Sequence, residues 1–205
     1  MISDTKMLEA HVVNFFSGRK EFRSLSNFWE RKVIILTPSG EEREYPSGEH
    51  CFHGEKYIRL SECTPLEERK QVLLEYGKTF MTGTGVMTGT DVMTGTDVMT
   101  GAEVKKRGGK KGLLLTGEEL KRWDELSVKV QEEICQYKVT EYEEVRKDLV
   151  KSGERILVHP ALRCSEKQLE KRKWEGKGTV VDGKVKILGP NMLGNIWMKV
   201  RSTLL

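Results

Sequence analysis

The sequence predicts an α+β chain that is mainly helical. Three observations carry that reading. Two clusters of β-forming residues, His11–Phe16 and Lys32–Thr37, suit short strands, the second ended by Pro38-Ser39-Gly40. Two Thr-x-x-Glu capping boxes, Thr64-Pro65-Leu66-Glu67 and Thr140-Glu141-Tyr142-Glu143, mark helix starts. A stripe of Leu120, Trp123, Val130, Ile134 and Tyr137 falls at helical spacing.

Taken in order, the elements follow from local chemistry. Ser47 can cap a helix running from about Gly48 to Leu60, with Glu49 in the first turn, where the helix dipole favours negative charge. The first capping box, with Pro65 at the first helical position, predicts a helix to about Tyr76 that stops at Gly77. The long stripe predicts a helix over about Glu118–Tyr137. The second capping box opens a helix ending near Gly153. Arg155–His159 reads as a short strand, and Asn191–Leu204 as a last helix.

Between Met81 and Val104 lies a repeat with a six-residue period, Met-Thr-Gly-Thr-Gly-Val followed by three close copies. A six-residue repeat can stack as a β-helix, but that needs more rungs and a more apolar core. Four copies rich in Gly and Thr read as an expanded loop.

Composition sets the outer bounds. A chain of 205 residues can bury a real core within one domain. Charged residues make up 32% and apolar residues 37%, so much of the charge must coat helices. A net charge of +4 permits contact with phosphates without demonstrating it. Cys51, Cys63, Cys135 and Cys164 are scattered with no CxxC pair, which points away from a zinc or redox site and toward free thiols. No apolar run reaches membrane-spanning length. The first residues, with Asp4 and Glu9, do not read as a signal peptide, so a cytoplasmic or nuclear protein is expected.

The most informative stretch is Tyr45-Pro46-Ser47-Gly48-Glu49-His50-Cys51-Phe52-His53-Gly54-Glu55-Lys56. At helical spacing Glu49, His53 and Lys56 share one face, bringing together an acid, an imidazole and an amine. Such a face can transfer protons or attack carbon, and a solvated helix face reads the same way. The stretch resembles the pattern Y-P-(S/T)-x-E-H-x-F-x-x-x-K of the NADAR family, the YbiA-like N-glycosidases. Asn14-Phe15-Phe16-Ser17-Gly18 with Leu25-Ser26-Asn27-Phe28 resembles the family's opening block. Gly189-Pro190-Asn191-Met192-Leu193-Gly194-Asn195-Ile196-Trp197-Met198-Lys199-Val200-Arg201 resembles its closing block. The three blocks occur in the family's order.

The resemblance implies a single mainly helical YbiA-like α+β domain over 1–205. It implies a small antiparallel sheet, with the repeat inserted as a loop at about 81–104. It implies hydrolysis of a C1–N bond in an ADP-ribose or ribose-phosphate N-glycoside, with no cofactor and no metal. Removal of ADP-ribose from guanine in nucleic acid is the leading expectation, with ADP-ribosylated DNA as partner. Cleavage of riboflavin-pathway intermediates is a second expectation, and a non-catalytic ADP-ribose or nucleic-acid binding module a third.

Breaking C1–N builds positive charge on the sugar and negative charge on the leaving nitrogen. Glu49 matches the family's signature Glu and is the expected catalytic group. Lys56 matches its signature Lys, either as a Schiff-base nucleophile or as a phosphate ligand. His53 reads as a surface histidine. Trp123 and Trp174 resemble the family's tryptophans and could stack on a base or sugar, although Trp123 also fits the apolar stripe. Asn27, Phe28, Asn191 and Gly194 are expected to form the pocket, with Asn191 equally able to cap the last helix. Arg19, Arg23 and Arg201 are phosphate candidates by charge. Two blocks depart from the family pattern. Lys171 stands where an Asp precedes the tryptophan and Glu175 intervenes before Gly176, so either acid chemistry moves to Glu175 or Asp182, or the substrate differs, or Trp174 is not the equivalent tryptophan. A family Gly-Arg pair corresponds to Gly108-Gly109, with Arg107 displaced.

Overall fold

The computed structural model describes residues 3–82, 87–88, 91–92, 99–162 and 164–204. Its elements are α1 (Asp4–His11), β1 (Val12–Asn14), a 3-10 turn (Arg23–Leu25), β2 (Val33–Leu36), β3 (Glu42–Tyr45), α2 (Gly48–Glu62), α3 (Glu67–Lys78), β4 (Met87–Thr88) and β5 (Asp91–Val92). They continue with α4 (Gly101–Gly108), α5 (Gly117–Glu141), α6 (Glu143–Ser152), β6 (Ile156–Val158), α7 (Glu166–Leu169), β7 (Lys177–Val181), β8 (Lys184–Leu188) and α8 (Met192–Ser202). The fold is α+β and mainly helical, as the sequence predicts. Its strands form two-stranded ladders, of which β2–β3, β4–β5 and β7–β8 are antiparallel and β1–β6 is parallel. The chain packs as two compact units, Glu30–Tyr137 and the pair Met1–Trp29 with Lys138–Leu205.

In the unit Glu30–Tyr137, β2 alternates toward a core that includes Val33, Ile35, Tyr45, Tyr57, Leu73 and Ile134. The β2–β3 hairpin delivers the chain to Ser47, whose hydroxyl accepts the His50 N–H and starts α2 where predicted. Helices α2 and α3 cross closely because Gly54 and Gly77 carry no side chain. A Cβ on Gly77 would lie 3.0 Å from the Gly54 carbonyl oxygen. Gly77 is therefore inside α3 rather than its stop. The start of α3 also differs from the expectation. The Thr64 hydroxyl donates to the Leu60 carbonyl at 2.7 Å and closes α2, so it caps no following helix. On α5, Val130 and Ile134 are fully buried, but Leu120 is 54% exposed and lies off the core.

Most of the repeat lies outside the described residues. Its last copy does not belong to a loop: Thr100 caps α4, exchanging hydrogen bonds with Glu103 in a capping box. Thr140, by contrast, lies within α5, which runs to Glu141. The break before α6 is at Tyr142, and the Arg146 guanidinium closes α5 by donating to the Val139 and Thr140 carbonyls.

In the other unit, α8 backs β6. A Cβ on Gly194 would lie 2.1 Å from the Leu157 carbonyl oxygen, so only glycine permits this approach. Gly194→Ala is expected to lose about 1–3 kcal/mol of stability by overpacking, measured by urea denaturation, and an unchanged midpoint would refute this account. The Leu25-Ser26 backbone is held from two sides. Trp197 Nε1 donates to the Leu25 carbonyl at 2.9 Å, and the buried Lys138 ammonium donates to the Ser26 carbonyl at 2.9 Å. Lys138 also lies 5.4 Å from the Trp29 ring and 5.6 Å from the Trp197 ring, which compensates a desolvated cation. The β7–β8 hairpin turns at Asp182-Gly183, both at positive φ, the conformation of a two-residue primed turn.

Candidate functional site

The signature face of α2 is built as its spacing predicts. Glu49, in the first turn, is 9% exposed and Lys56 is 8% exposed. His53 stands between them and is no surface residue: its side chain is 13% exposed, and its Nε2 lies 3.3 Å from Glu49 Oε1. Its Nδ1 is buried and has no hydrogen-bond partner among the described residues. Lys56 Nζ donates to the Gly108 carbonyl and lies 4.6 Å from the Tyr57 ring centroid. Burial lowers the Lys56 ammonium from its ordinary 10.5 to about 8.

Gly108, matched in the sequence to the family's Gly-Arg pair, takes a place at the site that the sequence did not assign to it. A Cβ there would lie 2.1 Å from Cγ and Nδ1 of His53. The end of α4 therefore rests on His53 and Lys56 together. Its start is fastened as well. His50 Nε2 lies 2.9 Å from the Met99 carbonyl, while Nδ1 lies 2.8 Å from the Ser47 hydroxyl. With Ser47 donating to Nδ1 and Nε2–H donating to the carbonyl, His50 is neutral, and burial lowers its pKa in the same direction. The last repeat copy and α4 are thus pinned to α2 at both ends.

Lys56 gives the site a pH signature. Its folded pKa lies below its unfolded value, so its contribution to stability is complete above pH 10.5 and is lost as pH falls through 8. The stability of the wild type relative to Lys56→Met is expected to rise by about 2–3 kcal/mol from pH 7 to 10, measured by denaturant unfolding. A difference that stays flat with pH would contradict the buried-cation assignment.

Trp123 is half-buried on α5. Its ring meets Phe52 edge-on at 5.0 Å, and Phe52 meets His53 at 5.7 Å. It packs against the core while belonging to an aromatic chain that reaches the signature face.

The remaining predicted residues lie in the unit of Met1–Trp29 and Lys138–Leu205. Asn27 is buried and Phe28 half-buried. Asn191 is buried at the start of α8 but caps nothing with its side chain. Its amide donates to the Leu157 carbonyl at 2.9 Å and accepts the His159 N–H at 3.1 Å, so both ends serve the fold. Gly194 likewise makes room for Leu157. Arg201 donates to the Ser152 hydroxyl and the Arg155 carbonyl, so it closes α6 and its neighbour turn instead of facing a phosphate. Arg19 and Arg23 are exposed. Trp174 is half-buried, with Lys173 Nζ 5.6 Å from its ring. Of the two replacement acids, Glu175 is tied to Arg172 at 2.7 Å and Asp182 belongs to the hairpin turn.

These elements define an α+β fold of the YbiA type. A solved neighbour is the E. coli protein YbiA, determined by NMR. It matches with a TM-score of 0.51 and 18% sequence identity, over 100% of this chain and 87% of that one. This likeness shows a shared fold. No family model matches the sequence, and no curated protein matches it. No helix among the described residues is long and apolar enough to cross a membrane.

Proposed function

We propose that this chain is a NADAR-type N-glycosidase that hydrolyses the C1–N bond of an ADP-ribose or ribose-phosphate N-glycoside, with ADP-ribosylated guanine in nucleic acid as its preferred substrate. One observation carries the reading. Glu49 and Lys56, the acid and amine of the signature block, are buried on a single helix face, with His53 paired to Glu49 and Lys56 held by the Gly108 carbonyl. The YbiA fold and the order of the three sequence blocks support it. In this reading Glu49 stabilises the cationic sugar carbon or activates water, and the bonding pair leaves with the nitrogen, which takes up a proton. A lysine lowered to about 8 keeps a neutral amine within reach at neutral pH, which favours attack on C1 over phosphate binding.

The test is release of ADP-ribose from a DNA oligonucleotide carrying ADP-ribosylated guanine. Borohydride added during turnover is expected to leave a reduced sugar adduct on Lys56, seen by peptide mass spectrometry. Retained ADP-ribose binding without release would sink the demodification reading. Riboflavin intermediates are the next substrates. Failure on both would favour a binding module, the reading that Lys171 at the family's Asp position supports.

A further inference from the structure

Around Gly108, which touches Lys56 and His53, lies the densest run of positive charge in the chain. Lys105-Lys106-Arg107-Gly108-Gly109-Lys110-Lys111 places five cations in seven positions. Helix-dipole compensation accounts for Lys105, Lys106 and Arg107, in the last turn of α4. It does not account for Lys110 and Lys111, which lie beyond the helix.

The run is held in place rather than trailing. Gly112 N–H donates to the Gly109 carbonyl at 3.1 Å, making Lys110 and Lys111 the central residues of a reverse turn. That turn folds hard against α4, since a Cβ on Gly112 would lie 1.6 Å from the Arg107 carbonyl oxygen. The same carbonyl accepts from Tyr76 at 3.1 Å and Tyr57 at 3.4 Å, and the next accepts from Lys56. The backbone is therefore anchored inward, while Lys106, Lys110 and Lys111 are exposed. None of these three forms an ion pair among the described residues. Glu103, on the same helix, is committed to the Thr100 cap at 2.8 Å. Glu103 is the carboxylate whose field Lys106 and Arg107 share, which leaves the run of five cations with a net positive patch that a polyanion would relieve.

We infer that this turn is a docking track for the phosphate backbone of a single-stranded nucleic acid. A strand lying on Lys106, Lys110 and Lys111 would run beside the carbonyls of Arg107 and Gly108, which are fixed to the signature helix. The aromatic pair of Phe52 on α2 and the half-buried Trp123 on α5 adds stacking surface beside the signature face. The inference deepens the glycosidase reading by giving the strand a docking surface beside the site, and it rests on that reading for the identity of the site.

The test is fluorescence anisotropy with an unmodified, labelled single strand of about 20 nucleotides, titrated at several salt concentrations. Wild type is expected to bind with strongly salt-dependent affinity. The combined K106Q, K110Q and K111Q variant is expected to bind about tenfold or more weakly near 0.1 M salt. Its slope of log affinity against log salt should be shallower by about 2. The matching K106R, K110R and K111R variant should retain affinity, and circular dichroism melting checks that both fold. Equal affinity of the Gln variant and wild type would overturn the track. So would binding to phosphatidylserine vesicles but not to the strand, which would assign the cations to a lipid surface. Binding needs no turnover, so the two readings fail separately. Strand binding with no release of ADP-ribose from a modified strand retires the demodification reading and leaves the track, whereas cleavage of a free ribose-phosphate N-glycoside with unaltered strand affinity in the Gln variant retires the track alone.

Discussion

Glu49→Gln is expected to lower kcat/KM for ADP-ribose release by about a thousandfold, roughly 4 kcal/mol of transition-state stabilisation. The substitution isolates charge from shape. Glutamine has nearly the same volume, and its Oε1 can still accept from His53 Nε2, which lies 3.3 Å from the glutamate oxygen. What it cannot do is carry negative charge as the sugar carbon becomes cationic, or take a proton from water. The fold should be little affected, because the carboxyl contributes only a favourable end charge in the first turn of α2, worth about 0.3–1 kcal/mol. The measurement is paired: steady-state release of ADP-ribose and urea unfolding on the same preparations. Activity within about fivefold of wild type would show that Glu49 is a helix-start residue and not the catalytic group. A matched loss of stability and activity would point the same way.

The parts of this molecule legible in the sequence are those set by local chemistry. Ser47 and Glu49 mark the start of α2 because a cap and a dipole act over one turn. The α5 stripe is long enough to be read from periodicity, and the β-branched Val33-Ile34-Ile35 with Leu36 forms β2. The failures have physical causes too. Thr64 and Thr140 each sit three residues before a Glu, but one bonds backward to α2 and the other lies inside α5. The spacing records a possibility, and the competing helix end decides it. The β7–β8 hairpin had its signal in Asp182-Gly183 between two β-forming runs. At the site, Glu49 and Lys56 follow from spacing on one helix. The environment of His53 does not, because it depends on the packing of Gly108, which is remote in sequence and meets His53 only once α4 is in place.

The second large effect is on stability. Glu55→Ala is expected to lose about 3–5 kcal/mol, measured by urea denaturation at neutral pH. Glu55 is fully buried on α2. Its carboxyl accepts from the Tyr45 hydroxyl at 2.7 Å, from Arg59 Nε at 2.8 Å and from Arg43 Nη1 at 3.4 Å, and Arg59 continues to Glu133 on α5. Burial and the neighbouring carboxyl raise the Tyr45 pKa, so that hydroxyl stays a donor at any ordinary pH. Truncation would leave the buried Tyr45 donor unpaired and strip both arginines of their shared partner. The buried group left unpaired, more than the lost attraction, sets the size of the penalty. Glu55→Gln should lose less, since it can still accept from Tyr45. A loss under about 1 kcal/mol for the alanine variant, the range of exposed ion pairs, would show that the network does not anchor α2. The point bears on function because Glu55 and Lys56 are adjacent. The network ties α2 to β3 and α5 at the residue next to the amine of the signature face. The rotation of the helix that presents Glu49 and Lys56 is thereby fixed by a buried acid that takes no part in the proposed reaction.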